Sequence, residues 1–253
     1  MVGVLGVGRW GKNYVKTLRE LDIPFATCDI KDNLAKFLRK VDRVIICTPS
    51  STHFKLAQRC LRADKDVLIE KPIVFNTKQF DSLFFMAKER KKILYPALLM
   101  EHHPAVKELK EMDLSPDHVE MVRTKLRKPR KDTPILWNLA LHDLSTAIYL
   151  FGHITIWRGH QLEEEGYLVL QYPTFTVIVR VSYNEEKRAR TVIYRPNKIV
   201  FDDVGKTLQI GQKTISVEES PLKNLILSFI SQNEMDYGLI KRARLITSVL
   251  EEI

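Results

Sequence analysis

Long hydrophobic runs are absent from this chain, and no stretch reaches the apolar length that a membrane-spanning helix requires. The apolar content of 45% is ordinary for a globular protein, so we expect no membrane partner. The first apolar run begins at Val2, which leaves no room for a signal peptide. These absences favour a cytoplasmic protein.

Cysteine is also scarce. The three thiols, Cys28, Cys47 and Cys60, are odd in number and fall within apolar strand or helix patterns. None of them has a partner at metal-ligand spacing, so we expect buried, reduced thiols and no metal site. The adjacent His102 and His103 lack Cys or carboxylate neighbours at ligand spacing, and we interpret them as structural.

Acidic residues are outnumbered, since 40 Lys and Arg stand against 31 Asp and Glu and give a net charge of +9. The densest basic segment, Arg123–Lys131 (RTKLRKPRK), contains no interleaved aromatic residues, and no helix-turn-helix or zinc-finger pattern accompanies it. Three interpretations stay open: a rim that receives substrate phosphates or a carboxylate, a solvated face and, least favoured, a nucleic-acid surface.

Short apolar runs alternate with helical patterns along the first hundred residues. The predicted strands lie near 2–6, 24–29, 43–47, 66–70 and 92–97, and the predicted helices near 10–21, 32–40, 51–63, 77–90 and 103–111. This alternation predicts parallel βαβ units with right-handed crossovers. We place this dinucleotide-binding domain at residues 1–98.

From about residue 118, strands follow one another with short turns between them. They are predicted at 119–126, 166–172, 175–183, 190–194, 199–202, 207–210 and 214–217. This pattern predicts a smaller α+β domain over 99–253, built on an open, mainly antiparallel sheet. One helix, 137–151, interrupts the strands, and a last helix, 236–253, is free to pack back on the first domain.

The most informative motif is Gly6-Val7-Gly8-Arg9-Trp10-Gly11, which lies between the first strand and the first helix. In such a motif the first glycine permits a tight turn, and the second lets the backbone approach a pyrophosphate. The third lets the helix pack on the strand, with its N-terminal N–H groups facing the anion. Asp29 follows the next strand, at the spacing where a carboxylate meets ribose hydroxyls. The alternative is a plain β-turn-α unit with Asp29 as a solvated strand end.

Polar residues follow the third and fourth predicted strands. They are Thr48-Pro49, with His53 a few residues on, and Glu70-Lys71-Pro72. Ligands of open parallel sheets bind outside the carboxyl ends of the strands, beside the glycine motif. A lysine there can polarise a carbonyl or assist proton transfer. Taken singly, Lys71 is more often a surface lysine before a turn.

The helix at 137–151 carries Asn138, His142 and Ser145 at i, i+4 and i+7, so the three share one face. An apolar stripe that includes Leu141 and Leu144 lies opposite. A histidine on the polar face could act as an acid or base in a cleft. Alone, His142 is more often structural.

In this order and at these intervals, the three segments resemble the glucose–fructose oxidoreductase / inositol dehydrogenase (Gfo/Idh/MocA) family of NAD(P)-dependent oxidoreductases. The matching residues are the glycine motif, CTPSSTHFKLAQRCLRADKDVLIEKP and NLALHDLSTAIYLFG. The resemblance implies a Rossmann domain followed by an open α/β sheet domain that often forms the oligomer interface. It also implies that Lys71 lies beside the nicotinamide and that His142 is the catalytic histidine, with Asn138 where the family usually has Asp. Trp10 and the LALHD run look most like members that act on nucleotide-linked sugars.

Together these features predict an oxidoreductase that transfers a hydride between NAD and a hydroxyl carbon of a sugar or nucleotide sugar. The predicted catalytic residues are Lys71, His142 and Asn138. The predicted cofactor-binding residues are Gly6, Gly8, Arg9, Trp10, Gly11, Asp29, Thr48, Pro49, His53, Glu70 and Lys71. The alternatives are an NAD-binding module without turnover and a nucleic-acid binder acting through the basic segment.

Two further expectations concern the cofactor and the assembly. NAD is favoured over NADP because Asp29 would repel a 2′-phosphate and Lys31 is the only nearby cation. A homo-oligomer, dimer or tetramer, is expected through the exposed sheet face, which keeps Ile178, Tyr167 or Val169.

Overall fold

The computed structural model describes residues 1–112, 114–218 and 220–253, which form two compact units. One unit contains Met1–Leu98 together with Leu222–Glu251, and the other contains Leu99–Pro221 together with Glu252–Ile253. Residues 222–251 therefore group with the first unit. The sequence prediction counted them in 99–253 and left the last helix, 236–253, free to pack back on the first domain. None of the helices in the described ranges is long and apolar enough to cross a membrane.

A five-stranded parallel sheet forms the centre of the first unit, as predicted. Its strands are β1 (Val2–Leu5), β2 (Phe25–Cys28), β3 (Arg43–Ile46), β4 (Asp66–Ile69) and β5 (Leu94–Pro96). Its helices are α1 (Gly11–Glu20), α2 (Leu34–Leu38), α3 (His53–Arg62) and α4 (Thr77–Glu89). The strand order is β2-β1-β3-β4-β5, and every pair is parallel. The order reverses between β1 and β3, and ligands of open α/β sheets bind at such a switch point.

Two C-terminal helices complete the first unit: α7 (Pro221–Ser231) and α8 (Tyr237–Glu251). The helix α8 packs against α4 and β5. Arg43 ties α7 to β3, because its guanidinium donates to the backbone carbonyls of Phe229 and Gln232. The sequence prediction omitted α7, although its buried residues recur at helical spacing: Leu222, Leu225, Ile226 and Phe229.

The second unit contains an eight-stranded, mostly antiparallel sheet, which confirms the predicted open, mainly antiparallel sheet. Its strands are β6 (His118–Thr124), β7 (Ile156–Gln161), β8 (Glu165–Gln171), β9 (Thr176–Ser182), β10 (Arg188–Tyr194), β11 (Ile199–Asp202), β12 (Thr207–Ile210) and β13 (Lys213–Ser216). The order is β13-β12-β11-β10-β6-β9-β8-β7, and only the β6–β9 pair is parallel. Val177, Val179 and Val181 are buried while Ile178 is exposed, as expected for a strand with one face on the core.

The helical segments that accompany this sheet include a 3₁₀ turn (Leu99–His102), α5 (Pro104–Glu111), a π-helical turn over Leu136–Ala140, and α6 (Leu141–Phe151). The predicted helix at 137–151 is therefore not uniform, since its first turn is wound more widely than an α-helix. The edge strand β7 escaped prediction because its pattern is only half apolar and exposed residues alternate with partly buried ones.

A buried ion pair joins α6 to the sheet. The Arg123 guanidinium donates to both Asp143 carboxylate oxygens, at 2.8 and 3.1 Å, and lies 3.5 Å from Asp203. Burial raises the pKa of the Asp143 carboxyl, and Arg123 opposes that rise. Arg123 is therefore part of the interior and not of a solvated or substrate-binding rim. Farther along the basic segment, Arg130 is paired with Asp132 at 2.6 Å.

Replacing Arg123 with Met is expected to lower the free energy of unfolding by about 3–5 kcal/mol, because Asp143 is left as a buried charge without its cation. Urea unfolding at neutral pH measures this loss. The matched control is Arg180→Met, which breaks the exposed pair with Glu185 and should cost about 1 kcal/mol or less.

The stability lost in Arg123→Met is expected to depend on pH. Without Arg123, burial and the nearby Asp203 charge raise the pKa of Asp143 and only a backbone hydrogen bond opposes them, so its pKa in the folded state rises further above the unfolded value. The folded variant then binds a proton more tightly than the unfolded chain, and its stability relative to the parent should recover as the pH falls below neutral. If Arg123→Met and Arg180→Met lose the same unfolding free energy at neutral pH and at lower pH, the buried Arg123–Asp143 pair does not stabilise the fold as proposed.

Candidate functional site

The turn between β1 and α1, called here the glycine turn (residues 6–11), is closed by two glycines. Gly6 has a φ of +92°, and a Cβ there would lie 2.9 Å from the Thr48 nitrogen. A Cβ at Gly11 would lie 2.0 Å from the Gly6 carbonyl oxygen. Both positions therefore exclude any larger residue, because the chain itself fills the space.

Gly8 differs from these two glycines. A Cβ at Gly8 would meet no atom of the described residues within 4 Å, and its φ is not in the left-handed region. The fold itself thus does not require glycine at this position. The missing side chain leaves the backbone of the glycine turn open to a close external partner, which is what a bound pyrophosphate needs.

The N-terminus of α1 begins at the same turn. Among the described residues no side chain caps this end, and its first turn carries no acidic residue. The Lys12 and Asn13 N–H groups donate to the Gly8 and Trp10 carbonyls at 3.0 and 2.9 Å, and the helix dipole favours an anion at this end. The glycine turn therefore combines an open backbone with a positive helix terminus.

Asp29 lies directly after β2, beside the glycine turn. One of its carboxylate oxygens accepts from the Val7 backbone N–H at 3.3 Å, and the other from the Ile30 backbone N–H at 2.8 Å. The side chain is exposed. Its position is fixed by backbone donors, while each oxygen keeps a lone pair for hydroxyl groups such as those of a ribose.

Glu70 and His53 are engaged by the chain itself. Glu70 is 7% exposed and accepts from the Trp10 indole N–H at 2.5 Å and the Tyr14 hydroxyl at 2.6 Å. His53 is buried, with Nδ1 2.8 Å from the Pro72 carbonyl and Nε2 2.9 Å from the Thr48 carbonyl. Burial lowers the pKa of His53, and the carbonyls oppose that shift. These polar atoms hold neighbouring loops together at the carboxyl edge of the sheet.

The other predicted residues of this edge follow β3 and β4. Thr48 accepts a hydrogen bond from the Thr52 hydroxyl at 2.8 Å, and Pro49 begins the following turn. Lys71 follows Glu70 directly, is partly exposed, and precedes Pro72 through a cis peptide bond. Arg9 is exposed on the glycine turn. All the predicted cofactor-binding residues therefore belong to the first unit.

Asn138 and His142 belong to the second unit. Asn138 is buried in the π-helical turn, and its side-chain N–H donates to the Tyr183 hydroxyl at 2.5 Å. His142 is partly exposed near the start of α6. Ser145, predicted on the same polar face, is instead buried, and its hydroxyl has no hydrogen-bond partner among the described residues.

Tyr14 and Tyr183 contribute to these clusters but were not predicted as site residues. Tyr14 occupies the apolar stripe of α1, where an aromatic residue indicates packing. Tyr183 ends the alternating pattern of β9, so its hydroxyl gave no separate signal. No group of three or more His, Cys, Asp or Glu side chains within the described ranges could hold a metal ion.

The amino-acid sequence is similar to a family of NAD-binding oxidoreductases and to named dehydrogenases. Residues 19–98 match the GFO_IDH_MocA family model, described as "Oxidoreductase family, NAD-binding Rossmann fold". UDP-N-acetylglucosamine 3-dehydrogenase of Acidithiobacillus ferrooxidans is 35% identical over 127 residues, which is 49% of this chain and 41% of that protein. Myo-inositol 2-dehydrogenase of Thermotoga maritima is 24% identical over 182 residues, 60% of this chain and 54% of that protein. The matches thus span about half the length of these curated relatives.

Solved structures share the fold over the whole chain. The A. ferrooxidans UDP-N-acetylglucosamine 3-dehydrogenase superposes with a TM-score of 0.86 at 20% identity, covering 100% of this chain and 95% of that one. A 3-ketoreductase from Actinomadura kijaniata, in complex with NADP and TDP-benzene, gives 0.83 at 15% identity, covering 100% and 96%. At these identities the structural likeness establishes the fold alone.

The difference between Gly8 and Gly11 leads to a paired test. Gly8→Ala should melt within about 2 °C of the parent, because nothing occupies the space of the new Cβ. It should weaken NAD binding about 10- to 100-fold, the loss expected when a backbone donor can no longer reach a phosphate. Calorimetric titration with NAD measures this.

Gly11→Ala is the control and should lose stability, although alanine normally stabilises a helix. Its Cβ collides with the Gly6 carbonyl. Unchanged NAD affinity in a folded Gly8→Ala variant would show that the glycine turn does not receive the cofactor.

Proposed function

Since this chain belongs to the Gfo/Idh/MocA family of oxidoreductases, we propose that it transfers a hydride between a nicotinamide cofactor and a hydroxyl carbon of a sugar or nucleotide sugar. The observation that carries the proposal is the open backbone at Gly8, because the fold does not need glycine there and a dinucleotide does. Two named relatives, a UDP-N-acetylglucosamine 3-dehydrogenase and a myo-inositol 2-dehydrogenase, support the substrate class.

The first unit supplies the cofactor site in this proposal. The glycine turn and the N-terminus of α1 bind the diphosphate, and Asp29 accepts hydrogen bonds from the adenine ribose hydroxyls. Thr48 and Pro49 line the next strand end. The nicotinamide, when bound, supplies the carbon that donates or accepts the hydride.

Two side chains act on the substrate in this proposal. Lys71 holds the reacting oxygen, and Lys71 and His142 share removal of the hydroxyl proton as the carbonyl forms. Asn138 assists as a neutral hydrogen-bonding group. Its amide is oriented by Tyr183 and contributes no charge to an imidazolium.

A second candidate function is an NAD-binding module without turnover. The observation that favours it is Asn138, an amide where the family usually has a carboxylate. A nucleic-acid binder is less favoured, because Arg123 is paired with Asp143 in the interior and Arg130 is paired with Asp132. Those pairs remove two guanidinium groups from the basic segment that the nucleic-acid interpretation needs.

Assembly and location are part of the same proposal. The exposed side of the eight-stranded sheet carries Ile156, Tyr167 and Ile178, which are 57%, 47% and 44% exposed. Apolar area of this kind on a sheet face supports a homo-oligomer, a dimer or tetramer, through that face. The buried thiols of Cys28 and Cys60 support a reducing, cytoplasmic location.

We expect NAD to bind more tightly than NADP. The Asp29 carboxylate, held by the Val7 and Ile30 amides, repels a 2′-phosphate. Asp29→Asn keeps a hydroxyl-binding side chain and should improve NADP affinity at least about fivefold. Calorimetry at fixed salt measures both cofactors. Asp22→Asn, an equal charge change on an exposed residue after α1, is the control. Tighter NADP binding by the parent protein contradicts this preference.

Lys71→Ala should lower turnover by about 10²–10⁴-fold and leave NAD affinity within a few-fold, because Lys71 acts on the reacting oxygen. The assay follows reduced cofactor with UDP-N-acetylglucosamine and with myo-inositol as trial substrates. Lys55→Ala, on the exposed face of α3, is the matched control and should behave as the parent. Retained turnover in Lys71→Ala would leave Lys71 as a surface lysine. NAD binding without turnover of any trial sugar favours the binding-module function.

Asn138→Asp should move the acidic limb of the rate–pH profile upward. A carboxylate on this turn would accept a hydrogen bond from the Tyr183 hydroxyl. It would also add a negative charge near the start of α6, which favours a protonated His142. Asn138→Ala controls for the loss of the amide. An unchanged limb in the Asp variant means that Asn138 does not act on the proton transfer.

A further inference from the structure

We propose that Glu70 is a positioning residue that links the glycine turn to Lys71, with Trp10 as its contact on the turn. The inference rests on the proposed function, because it assigns to the cofactor-binding turn an effect on the lysine that acts at the substrate. It concerns contacts within the first unit only.

Three donors converge on the Glu70 carboxylate. Oε1 accepts from the Trp10 indole at 2.5 Å and from the Tyr14 hydroxyl at 2.6 Å. Oε2 accepts from the Lys71 backbone N–H at 3.0 Å. One carboxylate thus contacts a residue of the glycine turn, a residue one turn into α1, and the backbone of the residue that follows it.

This arrangement is stiff, because both of the groups that hold Oε1 are themselves constrained. Tyr14 is fully buried, and burial together with the Glu70 charge raises the pKa of its hydroxyl well above the usual value. The Tyr14 hydroxyl therefore stays protonated at neutral pH and donates its hydrogen bond to Glu70. Trp10 packs edge-on against the Tyr14 ring, with centroids 6.5 Å apart. Hydrogen bonds to a buried carboxylate are among the stronger polar contacts in proteins.

Trp10 is the member of the cluster that reaches the surface. Its side chain is 40% exposed, in contrast to Tyr14, and it lies between Gly8 and Gly11 in the turn that receives the cofactor. Since its indole N–H already donates to Glu70, that group is not free to bind a phosphate. The role open to Trp10 is to transmit the position of the glycine turn to Glu70.

A second contact holds the other side of Lys71. Pro72, the next residue, has its carbonyl 2.8 Å from His53 Nδ1, and His53 Nε2 lies 2.9 Å from the Thr48 carbonyl. Lys71 is thus flanked by one residue fixed to the glycine turn and one fixed to the strand end after β3. A change at the turn reaches Lys71 through Glu70, while His53 keeps the other side fixed.

The consequence is a reciprocal coupling. If cofactor in the glycine turn restricts Trp10, it restricts the Lys71 backbone, and constraint of Lys71 must favour cofactor binding by the same factor. Glu70→Gln breaks this link in either orientation of the amide. An amide nitrogen cannot accept, so it opposes either the two donors at Oε1 or the Lys71 N–H at Oε2.

The first experiment uses the cofactor-free protein and measures hydrogen exchange at the Lys71 backbone amide. Trp10→Phe keeps an aromatic ring and removes only the indole donor, and it should speed this exchange at least about threefold by loosening Glu70. Trp157→Phe on β7, in the other unit, is the matched control and should leave the rate unchanged. Acceleration confined to residues 6–11, with none at Lys71, overturns the proposal.

Tyr14→Phe protects this test against a folding defect in one variant. It removes the other donor to the same Oε1 atom without altering the glycine turn, and it should also speed exchange at Lys71. The comparison requires that the melting temperature of each variant lies within a few degrees of that of the parent protein. If both fold and neither changes the Lys71 rate, Glu70 does not position Lys71.

The second experiment adds saturating NAD. In the parent, NAD should slow exchange at the Lys71 amide, and in Glu70→Gln this protection should fall at least about threefold even where NAD still binds. Equal protection in the two proteins overturns the link. Failure of the parent to bind NAD counts against the proposed function instead, and the cofactor-free experiment still decides the role of Glu70.

Discussion

The close approach of α1 to the turn after β1 is the constraint on which the binding edge of the first unit depends. The Gly11 backbone lies so near the Gly6 carbonyl that a methyl group on Gly11 would collide with it. This closeness brings the N-terminus of α1, the positive end of the helix dipole, to the switch point between β1 and β3. It also places Trp10 and Tyr14 where their donors reach Glu70 at the end of β4. The glycine turn, the anion-binding terminus and the carboxylate cluster thus share one geometric cause.

Buried carboxylates stabilise both units, but by different chemistry. Glu70 is satisfied by neutral donors from an indole, a phenol and a backbone amide. Asp143 is satisfied by the charge of Arg123, and Asp203 lies on the far side of the guanidinium. A carboxylate held by neutral donors keeps its negative charge for neighbouring groups, whereas an ion pair largely cancels it. Glu70 is therefore suited to the site proposed at Lys71, and Asp143 to anchoring α6 on its sheet.

Local pattern predicted most of this fold because the decisive signals were local. Strand and helix periods gave the parallel sheet, and the spacing of glycines gave the turn. The order of the strands depends on the side to which the short α2 crossover returns, and no periodicity encodes that. The π-helical turn over Leu136–Ala140 was missed because Asn138, His142 and Ser145 keep α-helical spacing across it, so the polar pattern gave no sign of a wider turn. The burial of Arg123 had a signal: it has the same strand parity as Val119 and Met121, which face the core.

Side-chain partners were the part of the candidate site that the sequence could not supply. Glu70 was chosen because it follows a predicted strand, and His53 because it lies a few residues beyond Thr48-Pro49. What pattern alone cannot distinguish is a polar group that faces a ligand from one that faces its own chain. That distinction depends on contacts between residues far apart in the chain, such as Glu70 with Trp10 and His53 with Pro72. Gly8 shows the converse case, since the absence of any neighbour in the described structure is what marks it for an external partner. Polar groups already satisfied by the chain shape such an edge, and open backbone receives the ligand.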